Sequence, residues 1–469
     1  MEAESIRRAH EAGRGLGADL GIEAQLRSYQ AHRWQPTNPA RPTLQLDDVS
    51  AIPFLVDIAG VEEYQHRGRL RAGDGDVYVT VTEAIDGYEA YCRETLQLGA
   101  PEHLVADPVG PPIRVARACM QGRTRARLVE IAKDARGLSI HPYMGIEDVW
   151  ELAARIGRDS RTEVRVVAPP PPVTWVANDK AVFTELVARV LGPQALVETR
   201  VAHDEASIAS DLRMLAQRHS RVGLKRTRCA SAMGNAVFDA DEVRSEQDSI
   251  RAVTRFLQRT EWSGAEEVLS VAWLETDLSP STQLWIPPLG AGPPRLEGIY
   301  EQILEGAHKV FVGSRPSGLP RRVNEALASS AILVASALQE LGYVGRCSFD
   351  HLVTGDPHGD FDTLLTECNG RWGGTSTPMS LLDRLWRGPR PPYRAQDVIF
   401  SQLAGGRLRD VLELVRDLLF RASTEQGRFI FYNLGPLAGH GKFDVISIGV
   451  DQSDAEHGVL ELLPRRLGS

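Results

Sequence analysis

The chain has 469 residues, 42% of them apolar and 25% charged, with a formal net charge of −9. That length is enough for two or three domains and a large core. The acidic balance argues against a general nucleic-acid binder, and no apolar run approaches the roughly 20 residues a membrane helix needs. The opening stretch, Met1 to Arg14, is charged and lacks a signal-peptide core. Five scattered cysteines (Cys92, Cys119, Cys229, Cys347, Cys368) form no CxxC pair, which fits reduced thiols in the cytoplasm rather than zinc. In the Glu367 strand described below, Cys368 alternates to the opposite face and reads as core.

In chain order, residues 1–45 begin as a charged helix and end in a proline-containing loop, Trp34 to Pro42. Candidate strands follow at Ile52 to Ile58, Asp76 to Val81, Leu138 to Pro142 and Glu163 to Val167, with a short apolar piece at His103 to Ala106. Helical patterns lie between them at Glu83 to Leu98, Arg123 to Asp134 and Ile146 to Ile156. This alternation predicts an open α/β domain. Ala168-Pro169-Pro170-Pro171-Pro172 interrupts it and reads as a stiff linker at a first domain boundary. Asn178 or Asp179 can cap a helix over Ala181 to Leu191, and a second helix spans Glu205 to His219. Arg221 to Lys225 and Ala236 to Phe238 read as short strands joined by a small-residue loop whose N–H groups could face phosphates. A helix at Ser249 to Arg259 precedes strands at Glu267 to Leu274 and Thr282 to Ile286 and a β-rich run ending at Val310 and Phe311. A long helix, Arg321 to Leu341, then leads to a strand, Cys347 to Val353. The tail has a helix from Leu381, a turn at Pro389 to Pro392, a helix from Arg409 to Arg421, and β-runs at Arg428 to Leu434 and Phe443 to Val450.

The chemistry concentrates at Glu367-Cys368-Asn369-Gly370-Arg371-Trp372-Gly373-Gly374, which follows a strand-like run, Phe361 to Leu365. Side chains alternate along a strand, so Glu367, Asn369 and Arg371 share one face. Carboxylate and amide oxygens are hard ligands suited to Mg²⁺, and a guanidinium suits phosphate or carboxylate. The glycines allow a turn and close approach to a ligand. Gly355 to Asp360 reads as a hairpin loop that brings Asp350 toward Glu367 and Asn369.

"SFDHLV…LLTECNGRWGG" resembles the metal-binding end of the ATP-grasp ligases. In that family an acidic residue on one strand and Glu-x-Asn on the next hold the magnesium ions of MgATP. The resemblance implies Asp350, Glu367 and Asn369 as ligands of two Mg²⁺ ions, with Mn²⁺ as a substitute, and Arg371 on an acyl phosphate or substrate carboxylate. Upstream, Asp179-Lys180, Lys225 and the loop Ser231 to Gly234 match the family's order of lysine, lysine and phosphate loop, although this loop is glycine-poor. Each lysine taken alone reads as an ordinary surface or strand-end residue. Glu266 to Leu274 resembles the hinge strand, so adenine would pair with the backbone at Ala272, Trp273 and Leu274, and Glu275 or Asp277 would take the ribose. Arg315 and His440 are further candidates for substrate contact, and His440 is the only residue offered as a base for the amine.

More faintly, "SIHPYMGIEDVWELAARIG", the prolines and "WVANDK" are similar to the pre-ATP-grasp domain of the peptide ligase that makes pheganomycin. The implied fold is α/β: an N-terminal pre-ATP-grasp open α/β domain at 1–168, a two-lobed ATP-grasp fold at 173–378, and a small C-terminal α+β module at 379–469. The implied activity is cytoplasmic, ATP-dependent ligation of a carboxylate and an amine, either small molecules or peptides, through an acyl phosphate in natural-product biosynthesis. The resemblance leaves a homodimer open. A small-molecule kinase and a non-catalytic nucleotide-binding scaffold stand as rivals. The metal-ligand set counts against the scaffold, and Arg371 with the N-terminal domain counts against the kinase.

Overall fold

The computed structural model describes residues 3–53, 55, 58–229, 234–306 and 309–468. Five short strands, β1 (Thr43–Leu46), β2 (Val77–Thr80), β3 (Glu102–Val105), β4 (Gly137–Pro142) and β5 (Glu163–Val166), form a parallel sheet in the order β3-β2-β1-β4-β5. Parallel strands need crossovers and are covered by them. The helices Gly122–Asp134 and Glu147–Ser160 fill that role, burying Leu128, Ile131, Leu152 and Ile156 against the sheet. The expected open α/β arrangement is therefore present.

A second sheet is antiparallel. It joins β6 (Thr199–Ala202), β7 (Arg221–Arg226), β8 (Asn235–Asp239) and β9 (Val268–Ala272) in the order β6-β9-β7-β8. The helices Glu205–Ala216 and Glu246–Arg259 close one face with Ile208, Leu212, Val253 and Phe256.

The third sheet has eight antiparallel strands: β10 (Pro280–Ile286), β11 (Arg295–Glu305), β12 (Val310–Pro316), β13 (Gly345–Gly355), β14 (Phe361–Asn369), β15 (Tyr393–Ile399), β16 (Phe429–Tyr432) and β17 (Lys442–Ile448). Their order is β14-β13-β10-β11-β12-β15-β17-β16. The sheet thus runs without a break from the Glu367 strand into the C-terminal segment. The helix Arg321–Glu340 packs on it through Val334 and Leu338, and the helix Lys180–Leu191 through Phe183, which stacks on Phe349 at 5.6 Å. The N-terminal helix Ala3–Asp19 also joins this layer, burying Leu16 in the same core rather than against the first sheet.

Several local expectations are corrected. The first strand is Thr43–Leu46, and the described residues between Ile52 and Ile58 form turns. Glu83 to Leu98 holds only a short helical piece, Tyr88–Ala90, and a wider turn, Tyr91–Thr95. Val310 begins a strand instead of ending one, and the helix expected at Arg409 to Arg421 stops after Leu408–Leu414. The prolines are not a free linker. Pro170 precedes the helix Pro171–Asn178, and Pro171 and Pro172 occupy its first turn, where no N–H is needed. No described helix is long and apolar enough to cross a membrane.

Candidate functional site

The Glu367 stretch lies where the three sheets meet. Glu367 pairs with Asp350 across β14 and β13, Asn369 pairs with Ser348, and a bulge follows between Asp350 and His351. Asn369 Nδ2 donates to Asp350 Oδ2 at 3.0 Å. The expected convergence of Asp350, Glu367 and Asn369 is present. Beyond β14 the chain is pinned at two points. Gly370 and Asn178 exchange hydrogen bonds, 3.1 Å from the Gly370 N–H and 3.3 Å to its carbonyl. The Trp372 N–H donates to the Tyr143 carbonyl at 3.0 Å, and the Trp372 indole is buried in the core of the first sheet. Cys368, on the other face, is buried in the core of the eight-stranded sheet, as its alternation predicts.

Lys180 is fixed by its helix start. Asp179 is the cap, accepting from the amides of Ala181 and Val182, and its Oδ2 accepts from Arg228 at 3.0 Å. Arg228 also stacks over Trp175 at 4.7 Å. The Lys180 ammonium meets Glu367 at 3.1 Å and donates to the Cys229 carbonyl at 3.2 Å. Lys225, near the end of β7, lies 5.4 Å above the Trp273 ring. Burial alone would raise Glu367, but Lys180 and Lys225 hold it below the ordinary carboxylate range. Burial lowers Lys225, with Glu367 working against it. Asp350 is pushed up to about 7 by burial and by Glu367 beside it. Two lysines and two carboxylates therefore form one interacting group, in which burial leaves Asp350 the carboxyl that most readily takes a proton.

These residues face a cavity of about 540 Å³, within the usual size of small-molecule sites. Lys225, Ala272, Trp273, Leu274, Asp350, Glu367, Asn369 and Arg371 all line it. Lys180 lines a small adjoining pocket with Glu367 and Arg371. At the hinge, the amides of Ala272 and Trp273 donate to the carbonyls of Glu198 and Arg221 at 2.9 and 3.0 Å. These two N–H groups are used inside the sheet, so a backbone contact to a ligand edge at Ala272 to Leu274 would fall to the other amide and carbonyl groups of this stretch.

Other expected residues do not join the group. Glu275 pairs with Arg221 at 3.4 Å and Asp277 with Lys309 at 2.7 Å, both at the surface and outside the cavity wall. Arg315 is bound to Glu301 at 2.7 Å and to Glu456, an ion-pair set that ties β12 to β11 and the C-terminal helix Gln452–His457. His440 ends the short helix Pro436–His440 and is exposed, away from the cavity wall. Gly234 packs against Cys229 and Arg226, and Ser231 lies outside the described residues. Sequence reasoning missed Tyr64, Arg67, Tyr143, Asp397, Asn433, Lys442 and Asp444, which line the same cavity from the first and third sheets. Arg67 sits in a polar 3₁₀ run, Val61–Leu70, with no apolar period to place it.

Among the described residues, no three His, Cys, Asp or Glu side chains gather to hold a metal by themselves. Asp350, Glu367 and the Asn369 amide supply a partial set of hard oxygens. That fits Mg²⁺, which is usually held by one or two carboxylates together with ligand phosphates.

Residues 65–158 match the family described as Pre ATP-grasp domain. No curated protein matches the sequence. Among solved structures, the chain is similar to N5-carboxyaminoimidazole synthetase from Staphylococcus aureus complexed with ADP, with 9% identity, a TM-score of 0.52, and 92% of this chain and 99% of that one covered. The Aspergillus clavatus carboxyaminoimidazole ribonucleotide synthase complexed with ATP gives 12% identity and a TM-score of 0.51, covering 91% and 98%. The biotin carboxylase domain of Hydrogenobacter thermophilus 2-oxoglutarate carboxylase, in complex with MgADP, ADP and bicarbonate, gives 12% and 0.51, covering 89% and 88%. The chain thus has the ATP-grasp fold with a pre-ATP-grasp domain at its N-terminal side.

Proposed function

We propose that this protein is an ATP-dependent ligase that joins a carboxylate to an amine with release of ADP and phosphate. The observation that carries the reading is the meeting of Lys180, Lys225, Asp350, Glu367 and Arg371 at one cavity junction, between β7–β9 on one side and β13–β14 on the other. Two ammonium groups and a guanidinium suit the phosphates of a nucleotide. Asp350, Glu367 and Asn369 would hold Mg²⁺ against those phosphates; the ion neutralises charge that develops on them. In the ligand-free state Lys180 is engaged by Glu367 at 3.1 Å. A bound nucleotide would offer Lys180 a phosphate oxygen in place of Glu367, which would leave the Glu367 carboxylate free to hold a metal ion.

Carboxylates do not condense with amines in water because they are poor electrophiles. Phosphorylation converts the acid to an acyl phosphate with a good leaving group. The protein's part is positioning and charge stabilisation. Arg371 would steady the acyl phosphate and the oxyanion formed when the amine attacks. Residues 1–168, 173–378 and 379–469 would be the three working parts, with the helix Ala3–Asp19 packed on the second and the last part extending the second's eight-stranded sheet, and the nucleotide would lie between the second sheet and the Glu367 strand. ATP dependence fits a cytoplasmic setting. A peptide-forming reaction in natural-product biosynthesis, and a homodimer, stand within the same proposal, supported by the fainter resemblance alone.

The test is purified protein with MgATP, a panel of acids including arylglycine and guanidino acids, and hydroxylamine as a surrogate amine. Hydroxamate and free phosphate, both lost in Glu367→Ala, are the expected result. ADP with a phosphorylated product and no free phosphate would make it a kinase. Bound nucleotide without turnover across the panel would refute the ligase.

A further inference from the structure

The cavity extends well past the lysines. Its far wall is built from the C-terminal strands and the polar run of the first domain. Asp397 and Asp444 are register partners on β15 and β17. Lys442 pairs with Asp397 at 2.9 Å and donates to the Tyr64 hydroxyl at 3.0 Å. Asn433, just past β16, takes a left-handed backbone (φ 49°) that asparagine tolerates. Its Nδ2 reaches both Asp444 oxygens at 3.3 Å. Arg67 lies over the rings of Tyr64 and Tyr143, 4.7 Å from each, and pairs with Asp47 at 3.4 Å.

Two atoms of this wall have no hydrogen-bond partner among the described residues: Oδ1 of Asn433 and Nη2 of Arg67. Both side chains are more than nine-tenths buried, with 2% and 8% of their surface exposed, and both residues line the cavity. Buried polar atoms are normally satisfied, so a free acceptor and a free donor on one wall ask for a ligand. An unpartnered donor and an unpartnered acceptor on one wall match a ligand that carries both an acceptor and a donor. Asp444 adds acceptor oxygens beside Asn433, and burial and Asp397 push it up to about 8 against the pull of Arg67 and Lys442, so a donor that is itself cationic would draw it back down and satisfy it.

Resting on the ligase reading, we propose that this wall binds the amine substrate as an ammonium next to a carbonyl, that is, the free N-terminus of an amino acid or peptide. Asp444 and Asn433 Oδ1 accept from the ammonium, and Arg67 Nη2 donates to the adjacent carbonyl or carboxylate oxygen. No separate pocket is needed, because this wall and the Glu367 strand line one continuous cavity.

The experiment is equilibrium retention of a synthetic tripeptide library by the full-length protein, read by mass spectrometry after ultrafiltration. A non-hydrolysable ATP analogue and Mg²⁺ are present throughout. The same library with acetylated N-termini is run in parallel. We expect retention of free-amine peptides, reduced at least ~10-fold by acetylation, by Asp444→Asn and by Arg67→Lys, since one charge-assisted hydrogen bond is worth about that factor. Unchanged binding of the ATP analogue shows that each variant is folded. Absence of retention, equal retention of acetylated peptides, or full retention by both variants would overturn the proposal. The hydroxylamine assay stands apart from this one. It does not need the amine subsite, so retention with no hydroxamate would refute the ligase and spare the subsite, and hydroxamate with no retention would do the reverse.

Discussion

Replacing Asp444 by asparagine should stabilise the ligand-free protein at alkaline pH. Asp444 is pushed up to about 8, first by burial and then by Asp397, its partner across β15 and β17. An unfolded aspartate titrates near 3.9, so about four pH units separate the two states, at roughly 1.4 kcal/mol each. The sign follows from linkage. The folded state holds the proton more tightly, so its contribution is complete below about pH 4 and is lost as pH rises to about 8. The full span would approach about 6 kcal/mol. Asp397 and Asp444 share their titration, so only part of that span belongs to Asp444, and about 2 kcal/mol is the expected net effect. Asparagine is neutral at every pH, and its side-chain oxygen still accepts from Asn433. Thermal unfolding of both proteins from about pH 5 to about pH 9 is the assay. The difference in Tm should be small at the acid end and grow to a few degrees in favour of Asp444→Asn at the alkaline end. Parallel pH curves would mean that the carboxylate pair is solvated and carries no stored charge. The same result would remove the electrostatic argument for an ammonium subsite.

Other expectations test the remaining parts. Lys225→Met keeps a side chain of similar length over Trp273 but removes the charge beside Glu367. MgATP affinity should fall about 10- to 100-fold by calorimetric titration, the worth of a charged hydrogen bond, and unchanged affinity would place the phosphates elsewhere. Gly370→Ala puts a methyl group 2.6 Å from Asn178 Nδ2 and 2.8 Å from the Ala177 Cβ. The reciprocal Gly370–Asn178 bonds should open, and turnover should drop by at least ~10-fold with a loss of about 1–3 kcal/mol in stability; wild-type turnover would show that the strand end needs no pinning. Arg315→Ala should leave ATP turnover within about threefold, because its partners are Glu301 and Glu456 rather than the cavity. A larger loss of turnover would return Arg315 to the site, and a loss of about 1–3 kcal/mol in stability is expected because the half-buried Glu301 and Glu456 carboxylates are left unpaired.

Local pattern made part of this site readable. The alternation through Glu367, Asn369 and Arg371, and the hairpin glycines that turn Asp350 toward them, follow from strand period and turn chemistry. The helix start beside Lys180 was legible from its cap, but Lys180 itself stood out only through the family's order of lysine, lysine and phosphate loop. The errors arose where tertiary packing overrode local signal. Ile52 to Ile58 is apolar enough for a strand, yet its described residues form turns whose Ile52 and Leu55 cover the first sheet. The run Thr43–Leu46 alternates two polar with two apolar residues, but over four positions only, too few to ask for a strand without its pairing between β2 and β4. The prolines looked like a linker because proline excludes helix interiors. At a first turn that exclusion does not apply, and Thr174, whose hydroxyl reaches the Gly145 and Pro169 carbonyls at 2.9 and 3.0 Å, locks the turn in place.

The far wall could not have been read at all, and the reason is physical. Arg67 and Asn433 are separated by most of the chain, and each belongs to a segment with no motif. They share one wall because Trp372, at the end of the Glu367 stretch, is buried in the first sheet's core, while its neighbour Cys368 is buried in the core of the eight-stranded sheet. A span of five residues that anchors Cys368 in one core and Trp372, past the strand end, in the other holds those cores at a fixed spacing. The continuous order from β14 to β16 then carries the C-terminal strands to the far side of the same opening. Arg71 and Arg346 reinforce the joint, each lying over the Trp372 ring at 4.7 and 4.6 Å, and each held by a carboxylate, Asp47 and Glu297. A chemistry that needs an activated acid and an amine in one place requires two walls in fixed register. Here two of the three residues that bear the metal-type oxygens, Glu367 and Asn369, and the residue that sets that register belong to a single eight-residue stretch.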